Sequence, residues 1–67
     1  MNPKQSHAIA ARDVKPNDEI SDDNETWRIC VRTRQTGGGT EILWRADDGS
    51  TDYAFYPRGH EVLLAQR

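Results

Sequence analysis

The sequence predicts an all-β domain, built either as a five-stranded barrel or as a strongly curved antiparallel sheet. Apolar and polar residues alternate with a period of two from Thr26 onwards, as they do in half-buried strands. Turns rich in glycine, proline and aspartate separate the alternating runs at short intervals. No segment is a helix able to cover a sheet, so we expect the sheet to curve or close on itself.

Size and composition allow one domain with a small core. The chain has 67 residues, a formal net charge of −2 and a single cysteine, Cys30, which cannot form an internal disulfide. No stretch reaches the ~20 apolar residues of a membrane span, and the N-terminus lacks the apolar core of a signal peptide. We therefore expect a cytoplasmic protein that does not bind membranes.

Two regions are predicted along the chain. Residues 1–12 show no sustained period and are expected to form a flexible N-terminal tail. Residues 13–67 are expected to form the barrel domain. Its five predicted strands lie near 18–20, 26–34, 40–46, 51–56 and 60–65, joined by turns at 35–39, 47–50 and 57–59.

The alternation also predicts which side chains form the core. If the apolar member of each pair points inward, the core consists of Trp27, Ile29, Val31, Ile42, Trp44, Phe55, Val62 and Leu64. The arginines of the second strand then point outward, about 6.5–7 Å apart along the strand.

Four features of the chain form a recognisable pattern: the entry turn at 14–20, the long hairpin at 26–46, the Asp-Asp-Gly turn at 47–49 and the Pro-Arg-Gly connection at 57–59. In these features the chain resembles SH3-like small β-barrels, including the KOW and Tudor-type members. Asn17 stands where a glycine is usual in that entry turn. The resemblance implies a five-stranded barrel over about residues 13–65.

No grouping of residues predicts catalysis or a cofactor. His7 and His60 have no partner at metal-ligand spacing, and Cys30 has no neighbouring base. The three glycines at 37–39 lack the Gly-Lys-Ser/Thr of a phosphate-binding loop. We therefore expect a non-catalytic binding module without cofactor or metal, whose partner is an unidentified protein or nucleic acid.

One hypothesis is nucleic-acid binding through an arginine-rich strand face. The arginines would contact phosphates and an exposed aromatic ring would stack on a base. The candidates are Arg28, Arg32, Arg34, Arg45 and Tyr56. The alternative is a solvated face on which the arginines pair across strands with Glu41 or Asp52.

The competing hypothesis is a protein-interaction module. Its acidic segment 18–25 would steer a basic partner, and leucines on the outer side of the strands would form an apolar contact. The candidates are Asp18, Glu19, Asp22, Asp23, Leu43 and Leu63. The same surface is compatible with a monomer or a weak homodimer. A third reading is an acidic inhibitor that mimics nucleic acid.

Overall fold

The computed structural model describes residues 5–65, and it confirms the all-β class. Six strands form one antiparallel sheet in the order β1-β6-β2-β3-β4-β5, which is not closed into a barrel. The strands are β1 (Ser6–Ala10), β2 (Glu19–Ser21), β3 (Arg28–Thr36), β4 (Gly39–Arg45), β5 (Thr51–Pro57) and β6 (Glu61–Ala65). A single 3-10 turn, Ala11–Asp13, follows β1.

The topology is compatible with an SH3-like fold. Strands β2 to β5 form an antiparallel meander, and β6 returns to pair with β2, where Ile20 faces Leu64. Among residues 5–65, β5 pairs only with β4 and β1 pairs only with β6, so these two strands are the edges of the open sheet. Three strands separate β5 from β6 in the sheet order, yet the short turn at 58–60 joins their ends, so the sheet must curve strongly.

The structure differs from the prediction for the N-terminal segment. Residues 6–10 form β1, a sixth strand, where Ile9 faces Val62 in the adjacent β6. The N–H of Ala11 donates to the carbonyl of His60 at 2.9 Å, and Ala11 and Val14 are both buried. Sequence patterning missed this strand because its pairing partner lies at the other end of the chain. The predicted tail residues 1–4 lie outside the described residues.

A β-bulge in β3 changes which side chains face the core. Cys30 faces Trp44, the next paired residue is Arg32 opposite Leu43, and Val31 is the extra residue between them. Cys30 is fully buried, whereas Val31 is 39 % exposed. The prediction that Val31 belongs to the core is therefore wrong. Strict alternation fails here because a bulge shifts the period by one residue.

Strand β5 also presents the opposite face from the one predicted. Tyr56 is buried opposite Thr40 in β4, whereas Phe55 is 54 % exposed opposite Glu41. Each face of this strand carries an aromatic residue, so alternation alone could not choose between them. Pairing with β4 decides the matter, because Ala54 and Tyr56 then lie on the same side as the buried Ile42.

The observed core receives apolar side chains from nearly every element, including the ring of Tyr56. The buried apolar residues are Ala11, Val14, Ile20, Cys30, Ile42, Tyr56 and Val62, with Ile9, Trp44, Ala54 and Leu64 packed against them. Of the predicted core, Ile42 and Val62 are buried and Trp44 and Leu64 pack on the core, as expected. Trp27 and Ile29 are only partly buried.

The predicted turns are present and their backbone explains their residues. Asn17 has φ of 77°, a left-handed conformation that asparagine tolerates better than most residues, so it can stand where glycine is usual. Its N–H donates to the carbonyl of Cys30 at 2.8 Å. In the turn after β4, Gly49 has φ of 87° and Asp48 accepts hydrogen bonds from the backbone and hydroxyl of Ser50.

Candidate functional site

Two exposed aromatic rings lie on the outer face of the sheet, the side opposite the core. Tyr53 and Phe55 are 53 % and 54 % exposed on β5. Register places Tyr53 opposite Leu43 and Phe55 opposite Glu41, and Leu43 in turn faces Arg32 of β3. These residues share one side of the sheet because cross-strand partners point to the same face.

Two arginines of this face form polar contacts with an aromatic and an acidic neighbour. Arg32 Nη2 donates to the Tyr53 hydroxyl at 2.8 Å, and Arg34 Nε lies 3.7 Å from Glu41 Oε1. The Arg34 and Glu41 pairing is the cross-strand contact that the sequence predicted as an alternative to phosphate binding. A shallow crevice of about 330 Å³ is lined by Arg32, Thr33, Arg34, Glu41, Leu43 and Tyr53. We call Arg32, Arg34, Leu43, Tyr53 and Phe55 the outer patch.

Arg45 extends the positive charge of the outer patch. It is exposed in β4, and register places it between Ile29 of β3 and Thr51 of β5. Arg32, Arg34 and Arg45 therefore occupy the same side of the sheet. This part of the predicted arginine surface is present in the fold.

Arg28 does not join this row. The bulge at Val31 separates it from Arg32, and its partner across the sheet is the buried Ile20. Its guanidinium lies 4.3 Å from the centre of the Trp44 ring and donates to Asp22 at 3.1 Å. The predicted row of Arg28, Arg32 and Arg34 on one face is therefore not formed.

Tyr56 is a buried ring that contacts the same carboxylate as Arg28. Its hydroxyl lies 3.1 and 3.2 Å from the two carboxylate oxygens of Asp22. Burial, followed by the charge of Asp22, raises the pKa of Tyr56 to about 12. A buried ring cannot stack on a base, so the exposed aromatic residues of this protein are Tyr53 and Phe55. Sequence reasoning missed both as surface candidates.

The acidic segment is organised by its own hydrogen bonds. The Asp23 carboxylate accepts from the backbone N–H groups of Thr26 and Glu25, both at 2.9 Å, and from the Ser21 hydroxyl at 3.0 Å. These bonds lower the pKa of Asp23 to about 2. Asp18 similarly accepts from the N–H of Lys15. Carboxylates used in this way hold a loop in place, which favours a structural role for them.

Acid should destabilise the fold through Asp23. Because the folded loop lowers this pKa from 3.8 to about 2, the stabilisation is complete above about pH 4 and is lost as the pH falls towards 2. In urea unfolding between about pH 5 and pH 2, Asp23→Asn should show a smaller loss of stability than the wild type. Asp47→Asn, an exposed turn substitution, should keep the wild-type acid dependence, and identical profiles for all three proteins would contradict this prediction.

Removing the carboxylate of Asp22 should destabilise the protein at neutral pH. Asp22→Ala leaves the Tyr56 hydroxyl and the Arg28 guanidinium without this acceptor, at a cost of about 1.5–3 kcal/mol. Chemical denaturation checks this value, with Asp47→Ala as the control that should change stability by less than about 0.5 kcal/mol. Equal unfolding midpoints for the two variants would show that the contacts of Asp22 with Arg28 and Tyr56 do not stabilise the fold.

The other interaction candidates do not join the outer patch. Leu63 of β6 is flanked by Ala8 of β1 and Ser21 of β2, so strands β2 and β3 separate it from Leu43. Glu19 lies in β2 opposite Ile29. The structure therefore brings Leu43 to the outer patch and places the other predicted protein-interaction residues elsewhere.

The single cysteine is not on the surface. Cys30 is buried, and burial raises the pKa of its thiol. Within residues 5–65, no three His, Cys, Asp or Glu side chains are grouped so that they could hold a metal ion. The same residues contain no helix with the length and apolar character needed to cross a membrane.

The fold and the outer patch define a small all-β domain with an aromatic and arginine surface. Comparison with known proteins finds no match among family models, curated proteins or solved structures.

Proposed function

We propose that this protein is a non-catalytic binding module of SH3-like type, and that it binds a partner protein through the outer patch. The observation that carries the proposal is the exposure of two aromatic rings, Tyr53 and Phe55, side by side on one strand. Aromatic residues and arginine are enriched at protein interfaces and dominate their binding energy. Singly exposed apolar residues are ordinary, but these two adjoin Leu43 and Arg32.

The charges of the patch indicate the chemistry of the partner. Arg32, Arg34 and Arg45 lie on β3 and β4, beside the exposed rings of β5, and Glu41 offsets one of these positive charges. A complementary protein surface would place carboxylates beside an apolar contact. The hydrogen bond from Arg32 to Tyr53 restrains both side chains before binding, which lowers the entropy lost on association.

The partner is expected to use the face of β5 rather than its edge. An edge strand usually offers free N–H and C=O groups to another strand. Here the N–H of Tyr53 donates to the Asp52 carboxylate at 2.8 Å, and Pro57 has no N–H to offer. These features oppose strand addition along β5 and leave the side chains of the outer patch as the accessible surface.

The test is a comparison of bound proteins in purifications from the native cell. The bait is the full chain, either as the wild type or with Tyr53→Ala and Phe55→Ala together. The control is Leu63→Ala, which removes an apolar side chain from a strand that does not border the outer patch. A direct partner should be retained by the wild type and the control, and lost from the double variant.

Circular dichroism should first show that the double variant remains folded, as expected for side chains that are more than half exposed. A partner that binds all three proteins equally would overturn the assignment of the outer patch. A partner lost only with Leu63→Ala would move the binding surface to β6.

A second candidate function is binding of single-stranded nucleic acid through the same patch. The observation in its favour is that exposed rings and arginines share one sheet face, an arrangement that suits base stacking with phosphate contacts. The pairing of Arg34 with Glu41 and the net charge of −2 weigh against it.

Salt dependence and nuclease treatment distinguish the two functions. Oligonucleotide affinity, measured by fluorescence anisotropy, should fall steeply with added salt if arginines displace counterions from phosphates. Arg32→Ala should flatten that slope by about one phosphate contact. Retention of the cellular partner after nuclease treatment would instead support direct protein binding.

A further inference from the structure

A second concave surface shares no lining residue with the outer patch. It is a groove of about 460 Å³ between the end of β1, the β3–β4 hairpin and the turn that joins β5 to β6. This volume is within the range of small-molecule sites, about 300–1,000 Å³. The elements that form it are distant in sequence, so it is a product of tertiary structure.

The charge of the groove contrasts with that of the whole chain. The chain has 11 acidic residues and a net charge of −2. The described residues that line the groove nevertheless include two arginines, Arg12 and Arg58, and no aspartate or glutamate. A concave surface with one sign of charge concentrates ligands of the opposite sign.

Several contacts restrain the groove walls. Arg58 donates from its side chain to the carbonyl of Gly37 at 2.7 Å and from its backbone to Gly38 at 3.0 Å. The Gln35 amide donates to the carbonyl of Arg12 at 3.2 Å. The His60 ring lies 5.1 Å from the ring of Tyr56, centre to centre. The Arg58 side chain and the His60 ring are thus held in place, and the backbone of Arg12 is fixed beside Gln35.

We propose that this groove binds a phosphate monoester of a small molecule, with Arg12 and Arg58 contacting the phosphate. A guanidinium group pairs with an oxyanion through parallel N–H donors. A single arginine is enough to donate to both oxygens of a carboxylate. A phosphate monoester has three terminal oxygens and a larger charge, which suits two arginines and a histidine. Ala10 and Pro57 supply apolar wall for the organic part of the ligand.

The test uses phenyl phosphate as the probe and the full chain as the protein. Phenyl phosphate is titrated into the protein, and the amide chemical shifts are followed by NMR. Inorganic phosphate and benzoate are titrated in the same way for comparison. Shifts should concentrate at groove residues such as Thr36 and Gly59. Phenyl phosphate should bind about tenfold or more tightly than benzoate, since the carboxylate uses fewer of the donors.

Matched arginine variants separate a site from general charge attraction. Arg12→Ala and Arg58→Ala should each weaken phenyl phosphate binding about tenfold or more. Arg12→Ala preserves the described hydrogen bond to Gln35, because that bond uses the backbone carbonyl. Arg45→Ala removes the same charge from an exposed position of β4 that does not line the groove, and it should leave the affinity within about twofold.

Three results would overturn the proposal. These are shifts scattered outside the groove, equal weakening by Arg45→Ala, and benzoate binding as tight as phenyl phosphate. None of them bears on the outer patch, whose variants and partner are separate. The groove and the proposed function can therefore fail independently.

Discussion

Replacing Gly39 by alanine should unfold the protein or leave it severely destabilised. A Cβ atom at this position would collide with the backbone carbonyl of Tyr56 and lie 3.0 Å from two backbone atoms of Pro57. Backbone cannot rotate away as a flexible side chain can, so β4 and β5 would have to separate locally. We expect a cost of about 3 kcal/mol or more, at the upper end for overpacking.

That cost is large for a domain of this size. A single core in a chain below about 70–80 residues rarely supplies more than about 3–5 kcal/mol. Separation of β5 from β4 would also withdraw the buried Tyr56 from the core. The measurement is thermal or urea unfolding followed by far-ultraviolet circular dichroism.

Gly37→Ala provides a matched control in the same turn. A Cβ atom at Gly37 would meet nothing within 4 Å, and this residue does not have a positive φ. Loss of backbone freedom in the unfolded chain should therefore leave stability unchanged or raise it by about 0.4–1 kcal/mol. Equal stability of Gly39→Ala and Gly37→Ala would show that β4 and β5 do not approach as closely as described.

Ile42→Ala should be the most damaging substitution of a core side chain. Ile42 is fully buried in the central part of β4, opposite Thr33 of β3 and Ala54 of β5. Its truncation removes apolar contact and leaves a cavity, which together cost about 2–5 kcal/mol. Most of the protein should then be unfolded at room temperature, as measured by urea denaturation or amide hydrogen exchange.

Val31→Ala is the control for the core assignment. Both residues are apolar and lie on paired strands, and simple alternation places both in the core. Val31 is instead 39 % exposed at the bulge, so its truncation should cost less than about 1 kcal/mol. A larger loss for Val31→Ala than for Ile42→Ala would mean that the bulge is misplaced.

The predictable part of the fold came from turns and from the period of two. The Asp-Asp-Gly turn at 47–49, the glycine hairpin and the entry turn at Asn17 require particular backbone conformations, and few residue types satisfy them. These signals are local, so they can be read without knowing what lies nearby in space. For the same reason, the strand positions of β3 to β6 agree with the prediction to within a few residues.

The candidate site was less predictable because it depends on which face of each strand is buried. One face of β5 carries Tyr53 and Phe55, and the other face carries Ala54 and Tyr56. Hydropathy alone does not show which of these two faces is buried. In β3, the bulge at Val31 moves Arg28 away from the face of Arg32. The arginine surface was thus predicted in part, and its aromatic residues were missed.

By itself, the sequence determined the all-β class, the meander of short strands and the location of the turns. Only the tertiary structure decided that residues 6–10 form a sixth strand, which faces of β3 and β5 are exposed, and where the two concave surfaces lie. The physical reason is the range of the interactions. Turn conformation depends on adjacent residues, whereas the pairing of β1 with β6 and the hydrogen bond of Tyr56 with Asp22 join residues 34 or more positions apart.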